Sequence, residues 1–415
     1  MQSISSIFNP KQIIMQDFEN KKIVLGICGG IAAYKSAYLI RELTRLGAEV
    51  RVVMTESAKQ FITPMTLQAL SGNEVRSELF DPQAERAMGH IELARWADLL
   101  LIAPASANCL AKMAHGLADD LLSTLYLVAE TPVLVCPAMN RSMWKHPATQ
   151  ENCALLSQRG AMIIGPEEGM QACGEEGIGR MSEVENIITA LRFYPLRNLL
   201  QGQKIMITAG PTREAIDPVR YLTNRSSGKM GYALAQAACM AGAEVLLISG
   251  PTALQPPVGV RFSGVESAQE MFAAVTQHFE PGMIFIGAAA VADYRVETPS
   301  VKKLKKNEQT SLTCHLSLNP DILAAIAASK KAKFVIGFAA ETNDVIIHAK
   351  EKLKNKQLDM IIANQVGAGI GFDSDDNQVT VLTSETQKVL PFTHKARIAG
   401  QIVAILAASL QNAAL

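Results

Sequence analysis

The most reactive-looking stretch of the 415-residue sequence is Ala172-Cys173-Gly174-Glu175-Glu176-Gly177-Ile178-Gly179-Arg180-Met181. Three glycines within six positions after Cys173 place the thiol on a mobile loop and not in a core strand. A thiol on a closing loop can hand a proton to a carbon centre. A surface cysteine without a role is the other reading. Pro137 through Trp144 is the second unusual stretch. Asn140 there offers an amide N–H₂ to a carboxylate, and Met143 and Trp144 could wall an apolar pocket or simply fill the core. His90, after Gly89 and ahead of a helical pattern running to Trp96, is either an acid–base group or a structural histidine.

A different chemistry is written into the second half. A polar loop runs from Thr212-Arg213-Glu214 to Asn224-Arg225-Ser226-Ser227-Gly228, with Arg213, Arg220 and Arg225 close together. It joins a strand end to a helix, where phosphates bind, so an anion site is favoured over an ordinary surface loop. Lys302-Lys303-Leu304-Lys305-Lys306 alone reads as a solvated cationic face. Asp293 before it and Asn319-Pro320-Asp321-Ile322-Leu323 after it make a better case for a nucleoside triphosphate held by cations and a metal. Two apparent motifs fail. Ser226-Ser227-Gly228-Lys229-Met230 resembles the end of a Walker A loop, but Thr223 stands where the first glycine belongs and Met230 replaces the magnesium-binding hydroxyl. Asp373-Ser374-Asp375-Asp376-Asn377 begins like a calcium loop, yet Gln378 and Ser384 occupy its glycine and glutamate positions.

These residues need parallel strand ends to position them. Lys22–Ile27 is an apolar run that meets Gly29-Gly30, then a helical pattern stopped by Gly47, then Glu49–Met54. Lys204–Ala209 meets Gly210-Pro211. A polar loop, a helix from about Lys229 to Ala241, Gly242 and Glu244–Ser249 follow. Strand, glycine turn, helix, glycine stop, strand is a βαβ signature, and it occurs once in each half. Further strands are expected at Leu99–Ala103, Val133–Cys136, Met283–Gly287, Phe334–Phe338 and Met360–Ala363, and a hairpin at Gln378–Leu382 with Lys388–Phe392. The expected fold class is α/β, with two doubly wound Rossmann-like domains. Residues 21–190 form the first domain, 191–203 a linker and 204–415 the second, after an extension over residues 1–20.

The turn at Gly29-Gly30 lacks the GxGxxG spacing and the following acidic residue of a dinucleotide site, which argues against an NAD-type oxidoreductase. It still offers free N–H groups to a phosphate, or is only a tight turn. Thr55, Ser106 and Asn108 follow neighbouring strand ends, as in a mononucleotide pocket, although Ser106 also reads as a plain helix cap.

Lys plus Arg equals Asp plus Glu at 39 each, so there is no global pull toward nucleic acid or an anionic membrane. The hydrophobic fraction of 48% with 19% charged fits a packed globular chain. The cysteines are odd in number, scattered and free of CxxC pairs, which implies reduced thiols in a cytoplasmic protein. No apolar run approaches the roughly 20 residues that span a bilayer.

Gly29 through Lys35, Pro137 through Trp144 and Ala172 through Met181 resemble the signature segments of the flavin-containing cysteine decarboxylases, a homo-oligomeric family with a flavodoxin-like fold. Within it, the match is to the bacterial phosphopantothenoylcysteine decarboxylases. The resemblance implies bound FMN and oxidation of a substrate cysteine side chain to a thioaldehyde-like electron sink. Loss of carbon dioxide and reduction of the resulting enethiolate follow. His90 matches the family's histidine near the flavin, Asn140 the residue that holds the substrate carboxylate, and Cys173 the proton donor. Gly29, Gly30, Thr55, Ser106 and Asn108 are the candidate flavin contacts.

Thr208 through Glu214, Asn224 through Gly231, Ala288 through Tyr294, Lys303 through Lys306, Asn319 through Leu323 and Gly337 through Thr342 resemble the phosphopantothenate–cysteine ligase domain. The resemblance implies that CTP, with Mg²⁺, activates phosphopantothenate as an acyl-cytidylate, which the amine of cysteine attacks. Lys303 matches the lysine of the activation step and Asn224 the residue that handles the acyl-cytidylate. Gly287, Ala288, Ala289, Asp293, Pro320, Asp321, Ile322, Leu323, Phe338, Lys352 and Lys356 match the CTP contacts; the metal ligands stay unassigned. Trimers of the first domain and dimers of the second are implied. A flavoprotein regulator without catalysis is the competing reading, and the intact Asn140 and Cys173 segments weigh against it.

Overall fold

The computed structural model describes residues 18–80, 89–305, 312–341, 343–365 and 374–412. Residues 1–17, most of the expected extension, lie outside the described residues, as do Lys306, Thr342 and Asp373 of the motifs above. The chain divides into two compact units between Arg192 and Phe193.

The first unit is built on β1 (Lys22–Ile27), β2 (Glu49–Met54), β3 (Leu99–Ala105), β4 (Val133–Pro137) and β5 (Met162–Ile163). They form a parallel sheet in the order β2-β1-β3-β4-β5, the order of flavodoxin-like folds. The strands are near-continuous apolar runs because helices cover both faces. Helix α1 (Ala33–Arg45) follows the glycine turn; α2 (Pro64–Ser71), α3 (His90–Trp96), α4 (Ala107–His115) and α5 (Leu121–Val128) come next. Leu100, Ile102 and Val135 of the strands pack with Leu110, Met113, Leu122 and Leu125 of the helices in one buried cluster. Beyond β4 come α6 (Arg141–Lys145) and α7 (Pro147–Gln158). A two-stranded hairpin, β6 (Glu167–Met170) with β7 (Glu176–Arg180), and α8 (Val184–Phe193) complete the unit.

The stretch 191–203, expected as a linker, is packed: Phe193, Leu196 and Leu200 are buried in the second unit's core. That unit's sheet runs β12-β11-β8-β13-β16-β17-β18-β19. Its strands, in chain order, begin with β8 (Lys204–Ala209). After the short pair β9 (Arg213–Ala215) and β10 (Tyr221–Thr223) come β11 (Glu244–Ser249), β12 (Arg261–Gly264) and β13 (Ile284–Gly287). A second short pair, β14 (Tyr294–Val296) and β15 (Leu316–Leu318), precedes β16 (Phe334–Glu341), β17 (Met360–Gln365), β18 (Asp376–Leu382) and β19 (Gln387–His394). Pairing is parallel from β12 to β17 and antiparallel for the last two strands, which are the expected hairpin.

Side-chain alternation divides the core in two. Ile205, Ile207, Val245, Leu247 and Ile286 face helices α9 (Lys229–Met240) and α13 (Lys395–Asn412). Met206, Leu246, Ile248 and Phe285 face α10 (Ala268–His278), α11 (Ile322–Ser329) and α12 (Val345–Asn355). Gly231 lets α9 press onto β8, since a Cβ there would stand 2.5 Å from that of Ala209.

Candidate functional site

In the first unit the candidate residues gather at the carboxyl ends of the parallel strands. Cys28 through Gly30 leave β1, Thr55 leaves β2, Ser106 leaves β3 and Asn140 stands three residues beyond β4. Helix α1 has no side-chain cap at Ala32, and its first amides are taken up within the turn, Ala33 N–H donating to Gly30 O and Lys35 N–H to Ala32 O, each at 3.0 Å. Gly29 is pressed against Ser57, 2.6 Å from where a Cβ would sit, while the space beside Gly30 is open. Thr55 Oγ1 lies 3.0 Å from Ser57 Oγ. Ser106 caps α4 by accepting from the Cys109 amide at 3.2 Å, and Asn108 is exposed in that helix's first turn. The glycine turn, with open space beside Gly30, and the strand-end hydroxyls suit the phosphate end of a mononucleotide such as FMN.

The structure brings Asn140 and Cys173 together. Asn140 caps α6, its Oδ1 accepting from the Ser142 amide at 2.8 Å. Its Nδ2 donates to Glu175 Oε2 at 3.1 Å and Gln171 Oε1 at 3.4 Å, and reaches Cys173 Sγ at 3.6 Å. Cys173 lies in the turn joining β6 and β7, closed by Gln171 N–H donating to Glu175 O and Gly174 N–H to Gln171 O. The Met139 amide donates to Gly179 O at 2.9 Å, and Gly179 leaves no room for a side chain, its Cβ position lying 2.3 Å from Met139 O. Arg141 Nε holds Glu175 at 3.1 Å. The hydrogen bond from Asn140 and the Arg141 charge keep the Glu175 carboxyl below its usual range.

Cys173 is the exposed thiol of the seven; Cys28, Cys109, Cys136 and Cys153 are buried. Burial pushes Cys136 far up, so it stays a thiol. Lys35, within the first matching segment, is structural: its buried ammonium donates to Met181 O at 2.9 Å and pairs with Glu183 at 2.8 Å. His90 is the first residue of α3 and half-buried, preceded across Gly89 by residues outside the described set.

In the second unit a cavity of about 830 Å³ opens over the carboxyl ends of β8, β13 and β16. Asn224, Gly287, Ala288, Ala289, Asp293, Pro320, Asp321, Ile322, Leu323, Phe338, Lys352 and Lys356 all line it. Gly287 and Gly337 make room for Leu323, whose methyl carbons lie 3.2 and 2.8 Å from the Cβ positions those glycines lack. Lys352 Nζ donates to Phe338 O at 2.7 Å. Lys356, just past the end of α12, pairs with Asp321 at 2.6 Å. Burial pushes the Asp321 carboxyl up, but the Lys356 contact and the Ala324 amide outweigh it and hold the carboxyl low. Asn224 Nδ2 donates to Ala290 O at 3.2 Å and Val291 O at 3.1 Å.

Helix α9 points its amino end into the cavity. Its cap, Gly228, adopts φ +76° and provides no side chain. The Ser226-Ser227-Gly228-Lys229 loop, dismissed as a Walker A motif, therefore lines the cavity through a different geometry. These donors and the neighbouring lysines suit a triphosphate.

Lys303 stands apart: it is exposed on the loop 300–305 and is not among the residues lining this cavity. Arg213 stacks over Tyr221 at 4.6 Å and Arg220 is bound to Asp217, so only Arg225 of the three arginines reaches the cavity. Sequence reasoning missed Asn377 and Lys395, which enter from the ends of the carboxyl-terminal hairpin. Among the described residues no cluster of three His, Cys, Asp or Glu side chains is arranged to hold a metal. Nor is any helix long and apolar enough to cross a membrane.

Residues 13–192 match a family model described as flavoprotein, and residues 200–410 one described as the DNA/pantothenate metabolism flavoprotein C-terminal domain. The coenzyme A biosynthesis bifunctional protein CoaBC of Vibrio vulnificus (strain CMCP6) is 53% identical over 392 residues, covering 94% of this chain and 98% of that protein. The Escherichia coli (strain K12) protein of the same description is 50% identical over 389 residues, 92% of this chain and 95% of its own length. That of Bacillus subtilis (strain 168) is 45% identical over 395 residues, 94% of this chain and 97% of its own length. Among solved structures, the C-terminal domain of a CoaBC protein is 43% identical, covering 52% of this chain and 99% of that one at a TM-score of 0.44.

Proposed function

The chain belongs to the bifunctional coenzyme A biosynthesis family, decarboxylase and ligase in one polypeptide, and from that premise we propose how its residues divide the work. The ligase unit joins cysteine to 4'-phosphopantothenate with CTP, and the flavoprotein unit decarboxylates the resulting phosphopantothenoylcysteine to phosphopantetheine.

In the decarboxylase unit, FMN when bound would supply the two-electron redox chemistry that a polypeptide lacks and that turns the substrate's cysteine side chain into the thioaldehyde-like electron sink. The Gly29-Gly30 turn at the head of α1 would hold its phosphate, with Thr55, Ser106 and Asn108 along neighbouring strand ends. Asn140 turns its amide toward the substrate carboxylate, Cys173 delivers the proton to the enethiolate carbon, and His90 stands by the flavin. The Asn140–Cys173 approach of 3.6 Å, across 33 residues of sequence, carries this assignment.

In the ligase unit the cavity of about 830 Å³ carries the assignment. The amides and hydroxyls of the Ser226–Gly228 loop take the triphosphate, and Phe338 with Lys352 and Lys356 borders the nucleoside. Mg²⁺ would sit on the phosphates with Asp293, an exposed carboxylate on the cavity wall, as few protein ligands suffice for that ion, while Asp321 is paired with Lys356. Lys303 stabilises charge developing on the attacked phosphorus. Asn224 then orients the acyl-cytidylate for attack by the cysteine amine.

Exposed Ile31, Tyr34 and Tyr38 on or beside α1 support trimers of the first unit, and exposed Tyr294, Leu316 and Leu318 on the β14–β15 pair support dimers of the second. We place the protein in the cytoplasm, in keeping with its free thiols. The test is an absorption spectrum of the purified chain with identification of the released chromophore, then a coupled assay with CTP, cysteine and phosphopantothenate. FMN near one per chain and formation of phosphopantetheine are expected. A colourless protein that refuses added FMN would reduce the first unit to a scaffold.

A further inference from the structure

Lys303 has no rigid element of its own. It lies on the exposed loop 300–305, and a flexible four-carbon side chain on such a loop is a poor tool unless its backbone is fixed. The peptide groups beside it are fixed from both sides. Asp217 Oδ2 accepts from the Leu304 amide at 3.1 Å, and Arg220 Nη2 donates to the Leu304 carbonyl at 2.7 Å. Asp217 and Arg220 are locked to each other through Arg220 Nε at 3.0 Å and a second guanidinium contact. The Asp217 carboxylate also accepts from the Val219 and Arg220 amides, at 2.8 and 2.9 Å. Its side chain is fully buried while that of Arg220 is 46% exposed. Further along, the Ser300 amide donates to Ile216 O at 2.9 Å, and Ser300 Oγ closes on Lys302 O at 2.7 Å.

We propose that Asp217 and Arg220 form a positioning couple for Lys303, clamping both peptide groups of Leu304 so that the lysine loop is carried by the turn between β9 and β10. Neither residue lines the nucleotide cavity, so neither acts on CTP directly. The turn they sit in continues through β10 into Asn224. One small body thus bears the residue assigned to acyl-cytidylate formation and the residue assigned to its use. A buried, fully satisfied carboxylate is an unusual investment for a surface turn, and holding a neighbouring loop accounts for it. The arginine contributes a planar fork that lysine could not reproduce.

The couple rests on the assignment of Lys303, so the experiment separates the two. In the full-length holoenzyme, Asp217→Asn and Lys303→Gln are compared singly and together. Pyrophosphate release from CTP and phosphopantothenate is followed, with decarboxylation of supplied phosphopantothenoylcysteine as the folding control. Asp217→Asn is expected to lower kcat for pyrophosphate release roughly 10- to 100-fold, with KM for CTP and decarboxylation unchanged. In the Lys303→Gln background it should do nothing further, because the residue it positions is gone. Arg220→Lys, which keeps the charge and removes the fork, should repeat the pattern more weakly and serves where Asp217→Asn fails to fold. An undiminished kcat, a rise in KM alone, or losses that multiply in the double variant would overturn the couple. If Lys303→Gln alone leaves pyrophosphate release intact, the assignment of Lys303 falls first.

Discussion

The two units solve the same problem with different materials. The decarboxylase site is made of side chains holding side chains: Asn140, Gln171, Cys173, Glu175 and Arg141 meet across a helix cap and a hairpin turn. The proposed nucleotide cavity is walled in part by residues with little or no side chain, Gly228, Gly231 and Gly287 to Ala290. Gly287 to Ala290 lead out of β13 as a strap along its wall, and Asn224 donates to the Ala290 and Val291 carbonyls of that strap. A site of the first kind is sensitive to single side chains. A site of the second kind keeps its shape and fails through the few groups that must arrive or orient.

Four substitutions test that contrast. Cys173→Ser should be the most severe: carbon dioxide still leaves, but reduced product falls roughly 10²- to 10⁴-fold as the acid is lost. Mass spectrometry of the product distinguishes a stalled enethiol from phosphopantetheine, and normal product would remove Cys173 as donor. Lys303→Gln should slow pyrophosphate release roughly 10²- to 10³-fold with decarboxylation untouched. Asn224→Asp replaces a donor with an acceptor in front of two carbonyls, so acyl-cytidylate should accumulate and amide formation slow roughly 10- to 100-fold. A quench experiment that traps no intermediate would argue that Asn224 only shapes the strap.

Glu175→Gln should be the mildest, roughly two- to five-fold on decarboxylation near neutrality. Because the Glu175 carboxyl is held low, its contribution is fully present above the ordinary glutamate value of roughly 4.3 and fades only as pH falls through the lowered one. The wild type should thus lose its advantage over the variant as pH falls through that lowered value, while the variant, which lacks the titrating carboxyl, shows no corresponding step. Identical acid limbs would show that Glu175 does not hold the hairpin to the cap.

Much of this frame was legible before the structure. The βαβ starts are visible because glycine stops and apolar runs are local signals, and β1, β2, β8 and β11 fall on their expected residues. Cys173 was legible as a loop residue and Asn140 as a group for a carboxylate, but their pairing was not, since nothing local says that a turn at 173 folds back on a cap at 140. Which arginine of the 213–225 loop borders the cavity was hidden for the same reason. Charge density pointed to an anion, while Asp217, three residues from Arg220, had already claimed one guanidinium and Tyr221 another. Asn377 and Lys395 carry no motif and reach the cavity only because the last two strands reverse direction.

The contact between Gly231 and Ala209 sets a clearance for the whole ligase reaction. The amino end of α9 hangs over the cavity at a height fixed by how closely the helix lies on β8, and a single hydrogen atom is all that separates them at that point. Adding one methyl group at 231 would push the helix off β8 and shift the amino end that borders the cavity. The fit of the proposed nucleotide would therefore depend on a core contact made by a residue that also borders the cavity.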